Sequence, residues 1–203
     1  AVSVGTMSSF RAAPRQGHLD RVKRMCGYLF AKKSAAIRIR TEKPDYSSIS
    51  VPTFDWERIY GDVKEIIPDD IPEPLGKSVV TTMYLDANLL HCLATGRSVS
   101  GILHLLNKTP VDWFSKKQNT VETATYGSEF TVARIGVDQQ IDIRLTLRYM
   151  GVPLDGKAWA FGDNESVVTS STVPHSELGK RHNALNYHRV REAIAAKIIA
   201  FVH

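Results

Sequence analysis

Cysteine is nearly absent: only Cys26 and Cys92 occur in 203 residues, too few for a disulfide framework and without the paired spacing of a zinc site. That excludes a disulfide-stapled scaffold and a cysteine-ligated zinc centre, and the expected setting is reducing and intracellular. Long hydrophobic runs are missing too. Nothing approaches the ~18 apolar residues of a membrane span, and "AVSVGTMSSF" at the N-terminus has no charged stretch leading into an apolar one, so no membrane partner is expected. Glycine-rich phosphate loops are absent, and "TYGSEF" (125–130) lacks the second glycine of a G-x-S-x-G nucleophile elbow. The histidines give no metal pair either, since His182 and His188 fall six residues apart on one predicted helix.

What is present is ordinary globular material, 43% hydrophobic and 23% charged, enough for one sizeable core with an attachment. The formal charge of +5 is unevenly spread. Residues 1–43 hold ten basic side chains against Asp20 and Glu42, whereas residues 44–76 hold eight acids against Arg58 and Lys64. Such asymmetry implies separate roles for the two segments, and the basic balance suggests a polyanionic partner. The chain begins without Met and stops on "AKIIAFVH", where an apolar alternation has just begun, and is expected to be an excerpt of a longer polypeptide.

Residues 16–33 set Leu19, Val22, Met25, Cys26 and Leu29 on the stripe of an amphipathic helix with a basic outer face, and 35–41 alternates like a short strand. Five prolines and the acidic bias mark 44–77 as an extended tether. From 78 the texture changes. "SVVTTMYLDA" is period-2 and β-rich, placing Asp86 at a strand end; 98–106 and 111–115 flank "NKTP" as a hairpin. Asn119 and Glu122 read as a capping box, and Gly151 as the closing glycine, of a helix of about 30 residues. Along it Glu129, Ala133, Val137, Ile141 and Leu145 share one row, so the acid heads the apolar stripe. "KAWAFGDNES" (157–166) is a short strand running into a helix; 182–199 is helical, and a fifth strand begins at the end. The order β-β-β-α-β-α-α-β predicts an α/β fold: a mixed sheet with three antiparallel strands and then parallel additions, flanked by helices.

Three acids occupy special positions: Asp86 ending the first strand, Glu129 on the long helix, and Asp163 ending the fourth strand. With strand four parallel to strand one, the two aspartates emerge at the carboxyl edge where open α/β sheets bind ligands. Oxygen ligands without Cys or His suit Mg²⁺ or Mn²⁺, and two such ions suit phosphodiester hydrolysis. Each acid also has an ordinary reading. Asp163 is equally suited to capping the following helix, Asp86 to a turn, and Glu129 to a solvated helix face.

The same residues resemble a known family, the end of the reverse transcriptase and the RNase H domain of copia-type retrotransposon polyproteins. "MSSFRAAPRQGHLDRVKRMCGYL" is similar to the segment after the polymerase palm through Ser8, Phe10, Ala13, Pro14, His18, Lys23, Arg24, Tyr28 and Leu29. "YLDAN", "GRSVSG", "VDWFSKKQNTVETATYGSEF" and "GDNES" resemble its successive RNase H motifs, the most specific being Ser-Lys-Lys-Gln with Glu129 eleven residues after Gln118. "KRHNALNYHRVREAI" resembles the following helix through His182, Tyr187, His188, Arg191 and Glu192, with Ala184 where that helix usually carries Asp. The resemblance implies an RNase H-like fold truncated before its last helix, with divisions at 1–43 (end of the thumb or connection), 44–77 (tether) and 78–203 (RNase H-like domain).

It further implies metal-dependent cleavage of the RNA strand of an RNA–DNA hybrid during reverse transcription, with Asp86, Glu129 and Asp163 holding two Mg²⁺ or Mn²⁺. Lys116, Lys117, Lys180, Arg181 and His188 would contact the nucleic-acid backbone. The rest of the polyprotein would be a partner, and the location a cytoplasmic particle or the nucleus. A fourth carboxylate would lie beyond His203, so weak or absent turnover is expected of this chain. Two alternatives stand beside this reading. A non-catalytic connection-type domain would bind hybrid and brace the polymerase, a role that Ala184 favours. An integrase-like strand transferase would need the order Asp–Asp–Glu, with Glu192 as the last acid.

Overall fold

The computed structural model of the chain describes residues 2–92, 94–179 and 181–203. Three helices precede the sheet: α1 (Val2–Ser8), α2 (Gln16–Ala31) and the single turn α3 (Glu57–Tyr60). The expected helix over 16–33 is therefore present, but its stripe stays uncovered, with Leu19, Val22 and Leu29 all exposed. The alternation at 35–41 does not become a strand. It runs extended beside a hairpin end, held by side chains: Asn107 Nδ2 donates to the Thr41 carbonyl, and Thr109 Oγ1 both accepts from Arg40 N and donates to Arg40 O.

Strands β1 (Thr81–Cys92), β2 (Arg97–Leu106) and β3 (Thr109–Lys117) form the antiparallel meander, followed by helix α4 (Thr125–Tyr149). Strand β4 (Ala158–Gly162), helices α5 (Glu165–Thr172) and α6 (Ala184–Ala195), and strand β5 (Ile199–Val202) complete the order. The five strands make one sheet, β3-β2-β1-β4-β5, in which β4 and β5 are parallel additions to β1. This is the predicted α/β architecture, a mixed sheet of three antiparallel strands and two parallel additions, flanked by helices.

Period 2 decides the faces. Met83, Leu85 and Ala87 of β1 and Ile102 of β2 are buried on the side that α4 covers with Phe130, Ala133 and Val137. Gly136 permits the close approach of helix to strand, because a Cβ there would stand 2.5 Å from Leu85 Cδ2. The turn between β2 and β3 is shorter than the "NKTP" loop of the sequence reading: only Asn107 and Lys108 separate the strands, with Asn107 in the left-handed region at φ 53°, a conformation asparagine tolerates.

Helix α4 is 25 residues long rather than about 30. Its N-cap is Ala124, whose side chain has no acceptor to offer, and Glu122 lies outside the helix, where its Oε2 shares a hydrogen bond of 3.0 Å with His182 Nε2. A long-range partner thus replaces the expected capping box. The far end is as the sequence indicates. Gly151 takes φ 70°, Gly151 N donates to Arg148 O, and Val152 N to Leu147 O, the paired bonds of a Schellman motif.

Residues 44–77 lie along the domain. Tyr46 tilts against Trp159 and Phe161 at 4.9 and 5.4 Å between centroids, and Trp56 lies under the Arg191 guanidinium at 4.8 Å. Glu65 receives both Arg144 and Arg148 of α4 in two forked pairs, at 2.7–3.0 Å. Burial pushes its carboxyl up, but the hydrogen bonds from Arg148 and Arg144 outweigh this and hold it at about 2.

Candidate active site

The parallel pairing of β1 with β4 ends at Leu85 and Gly162, which are Cα partners. The residue after each of these is an aspartate, Asp86 still within β1 and Asp163 just past the end of β4. Asp86 therefore sits not at the end of β1, which continues to Cys92, but where its pairing with β4 stops. The two carboxylates leave the sheet side by side, both exposed to solvent.

Glu129 comes to the same place from above. It lies in the second turn of α4 and is only 7% exposed, with Leu85, Ala133, Val167 and Phe201 around it. The Ala87 N–H, which the end of the parallel ladder leaves free, donates to Glu129 Oε1 at 3.2 Å. One oxygen from each of Asp86, Glu129 and Asp163 lies within 4.8 Å of the others. Three carboxylates so close repel one another when ionised. Burial pushes Glu129 up to about 7, with the charges of Asp163 and Asp86 adding to the rise and the Ala87 hydrogen bond opposing it.

The ordinary readings of these acids do not hold. Asp163 does not cap α5: the cap is Asn164, whose Oδ1 accepts from Val167 N at 3.2 Å. Asp86 is in a ladder rather than a turn, paired with Gly101. Glu129 faces the sheet and not solvent.

Three positioning residues were not legible as such in the sequence. Gln118, buried at the end of β3, donates from Nε2 to Ser100 Oγ at 3.0 Å and to the Ser128 carbonyl at 2.9 Å, stapling the first turn of α4 to β2 beside Glu129. Gly136 sets the helix–sheet distance. Asn164, by capping α5, leaves Asp163 unburdened. Gly127 makes room for the Glu122–His182 pair, since a Cβ there would meet Glu122 Oε2.

The residues expected to touch nucleic acid are dispersed. Lys116 and Lys117 stand at the end of β3, with Lys117 Nζ donating to Cys92 Sγ at 3.2 Å. Arg181 is exposed in the single 3-10 turn before α6, and Lys180 lies outside the described residues. His188 points toward the 44–77 segment, where its Nδ1 shares a 2.8 Å hydrogen bond with Tyr60 Oη. Glu192 accepts from Arg189 at 3.2 Å and is no member of the acid cluster.

No protein-family model and no curated protein matches the chain. Among solved structures, it is similar to the N-terminal RNase H domain of a Mycobacterium tuberculosis protein fused to maltose-binding protein, at 11% identity and a TM-score of 0.46 over 62% of this chain and 83% of that one. It is similar to RNase H1 of Halobacterium salinarum, at 12% and 0.45 over 60% of this chain and 84% of that one. It is also similar to the protease-reverse transcriptase of prototype foamy virus, at 13% and 0.45, over 66% of this chain and 19% of that one.

Proposed function

We propose that the chain is the ribonuclease H part of a copia-type retroelement polyprotein, cleaving the RNA strand of an RNA–DNA hybrid during reverse transcription. The observation that carries this reading is the convergence of Asp86, Glu129 and Asp163 within 4.8 Å at the edge of a mixed sheet. Three hard oxygen donors with no nitrogen or sulfur among them fit Mg²⁺ or Mn²⁺. The fit is also electrostatic: Glu129, buried beside two like charges, is ionised at neutral pH only at a cost that a cation offsets. Two such ions, when bound, supply an activated water and stabilise the leaving oxygen of an in-line displacement.

The side chains divide the remaining work. Glu129, fixed by Ala87 N–H and by Gln118 on the turn before it, is the rigid ligand. Asp86 and Asp163 are solvent-facing and present the open side to which the scissile phosphate comes. Arg181 and the Lys116–Lys117 pair supply phosphate contacts, which position the duplex without reading bases; selectivity for RNA comes from its 2′-hydroxyls. In this reading residues 1–43 are the end of the polymerase thumb or connection, 44–77 join it to the RNase H-like domain, and the protein works in a cytoplasmic particle or the nucleus.

A hybrid labelled on each strand in turn tests the proposal. With Mn²⁺, slow cleavage confined to the RNA strand is expected, leaving 3′-hydroxyl and 5′-phosphate ends and stopping in EDTA. Equal cutting of both strands, or cutting in EDTA, would refute it.

A further inference from the structure

The sheet has a second feature on the nucleic-acid side, distinct from the acids. Between α1 and the ends of β2 and β3 lies a cavity of about 550 Å³, walled on one side by Thr6, Ser8 and Ser9 and on the other by Arg97, Lys116 and Lys117. His91 and Asn119 contribute to its lining, and no acid does. Such a volume is in the range of sites that hold a nucleotide-sized group. Arg97 and Lys116 are exposed and Lys117 is held by Cys92 Sγ, so three cations face a wall of uncharged side chains, the chemistry of a phosphate-backbone cradle.

The register fixes where this cavity stands relative to the acids. Asp86, Gly101 and Ser115 are successive Cα partners across β1, β2 and β3. Lys117 is two residues beyond Ser115 on the same strand and face. Two strand spacings across and two residues along place its Cα about 12 Å from that of Asp86. A few nucleotides of one strand cover such a distance. The exposed aspartates and the cavity are therefore at a spacing that one continuous strand spans.

We propose that the cavity between α1 and β3 is a binding subsite for the phosphodiester backbone of a polynucleotide strand, a few nucleotides from the acid cluster, and that the N-terminal segment forms one of its walls. The inference rests on the nucleic-acid reading of the acids and extends it. It makes the stretch from Gly5 to Phe10 part of the substrate track, a role the sequence did not suggest for it, and adds Arg97 and His91 to the contact set.

The test uses the whole chain in EDTA, so that no strand is cut, with a fluorescent 12-nucleotide single strand and a 12-base-pair hybrid as probes. The double change Arg97→Ala/Lys116→Ala removes two exposed cations. It should weaken binding of both probes at least tenfold at 100 mM salt and reduce the slope of log K against log salt by roughly 2, near one unit per lost phosphate contact. Ser9→Glu places a negative charge in the opposite wall and should weaken binding several-fold, with both variants melting at the wild-type temperature. Unchanged affinities, no binding of either probe by the wild type, or sensitivity to the strand residues but not to Ser9→Glu would overturn the cavity. Hybrid cleavage with Mn²⁺ that persists while the variants bind normally would refute the cavity and leave the nuclease reading standing. Variant-sensitive binding without any cleavage would do the reverse.

Discussion

Replacing Glu129 by glutamine will make the metal-free protein more stable at pH 8 and will abolish metal-dependent cleavage. The two effects have one origin. Glu129 is held at about 7 instead of 4.5 by burial first and then by Asp163 and Asp86, so its ionisation is resisted in the folded state. A raised folded-state value means that the group's favourable contribution is fully present below pH 4.5 and is lost as pH rises through about 7. Two and a half pH units correspond to about 3 kcal/mol, an upper figure for a site that can relax. Glutamine keeps an acceptor for Ala87 N–H and removes the charge. Urea unfolding in EDTA should therefore show the variant ahead by about 2–3 kcal/mol at pH 8 and level with the wild type near pH 4.5. Addition of Mn²⁺ should stabilise the wild type and leave the variant unmoved. A variant that is less stable at pH 8, or that gains as much from Mn²⁺, would remove Glu129 from the site.

Glu65→Ala should be the most damaging single change outside the site. Arg144 and Arg148 are 4% and 16% exposed in their side chains, and Glu65 is their shared partner. Alanine strands two guanidinium groups against the body of the domain, although Arg144 keeps its bond to the Gly156 carbonyl. Loss of one member of a buried ion pair costs about 3–5 kcal/mol. Glu65 is held at about 2, so its contribution is present above 4.5 and lost as pH falls toward 2, the opposite direction to Glu129. Denaturant midpoints between pH 3 and 7 should show the gap between wild type and Glu65→Ala closing on the acid side. A loss below 1 kcal/mol at pH 7 would mean that the 44–77 segment is not fixed to α4 in solution.

The elements that were legible are those whose signal is local. Period 2 at 78–87 gave the faces of β1, and Gly151 gave the end of α4 because only a residue that accepts φ 70° closes a helix that way. The three acids were singled out by the elements that carry them, and the structure brings them within 4.8 Å of one another, although Asp86 lies inside β1 and not at its end. What the sequence hid depends on partners far along the chain. Glu122 has the spacing of a capping box, but His182, 60 residues on, takes its carboxylate, and α4 starts only at Thr125. Asp163 and Asn164 are adjacent candidates for one cap, and only the backbone geometry decides between them. Glu65 has no pattern around it that would announce two arginines 79 and 83 residues away. The α2 stripe shows the converse, since periodicity reports that a face is apolar and not that anything covers it.

The claim at the centre of this account is that three carboxylates from β1, α4 and β4 hold divalent cations together. A titration of the protein with Mn²⁺, followed by the loss of the free-ion paramagnetic resonance signal at pH 5.5 and pH 8, tests it most directly. The account predicts two bound ions at pH 8, weaker binding at pH 5.5 where Glu129 retains its proton, and loss of binding in Glu129→Gln and Asp163→Asn alike. Mn²⁺ binding that is the same at both pH values and survives both substitutions would contradict it.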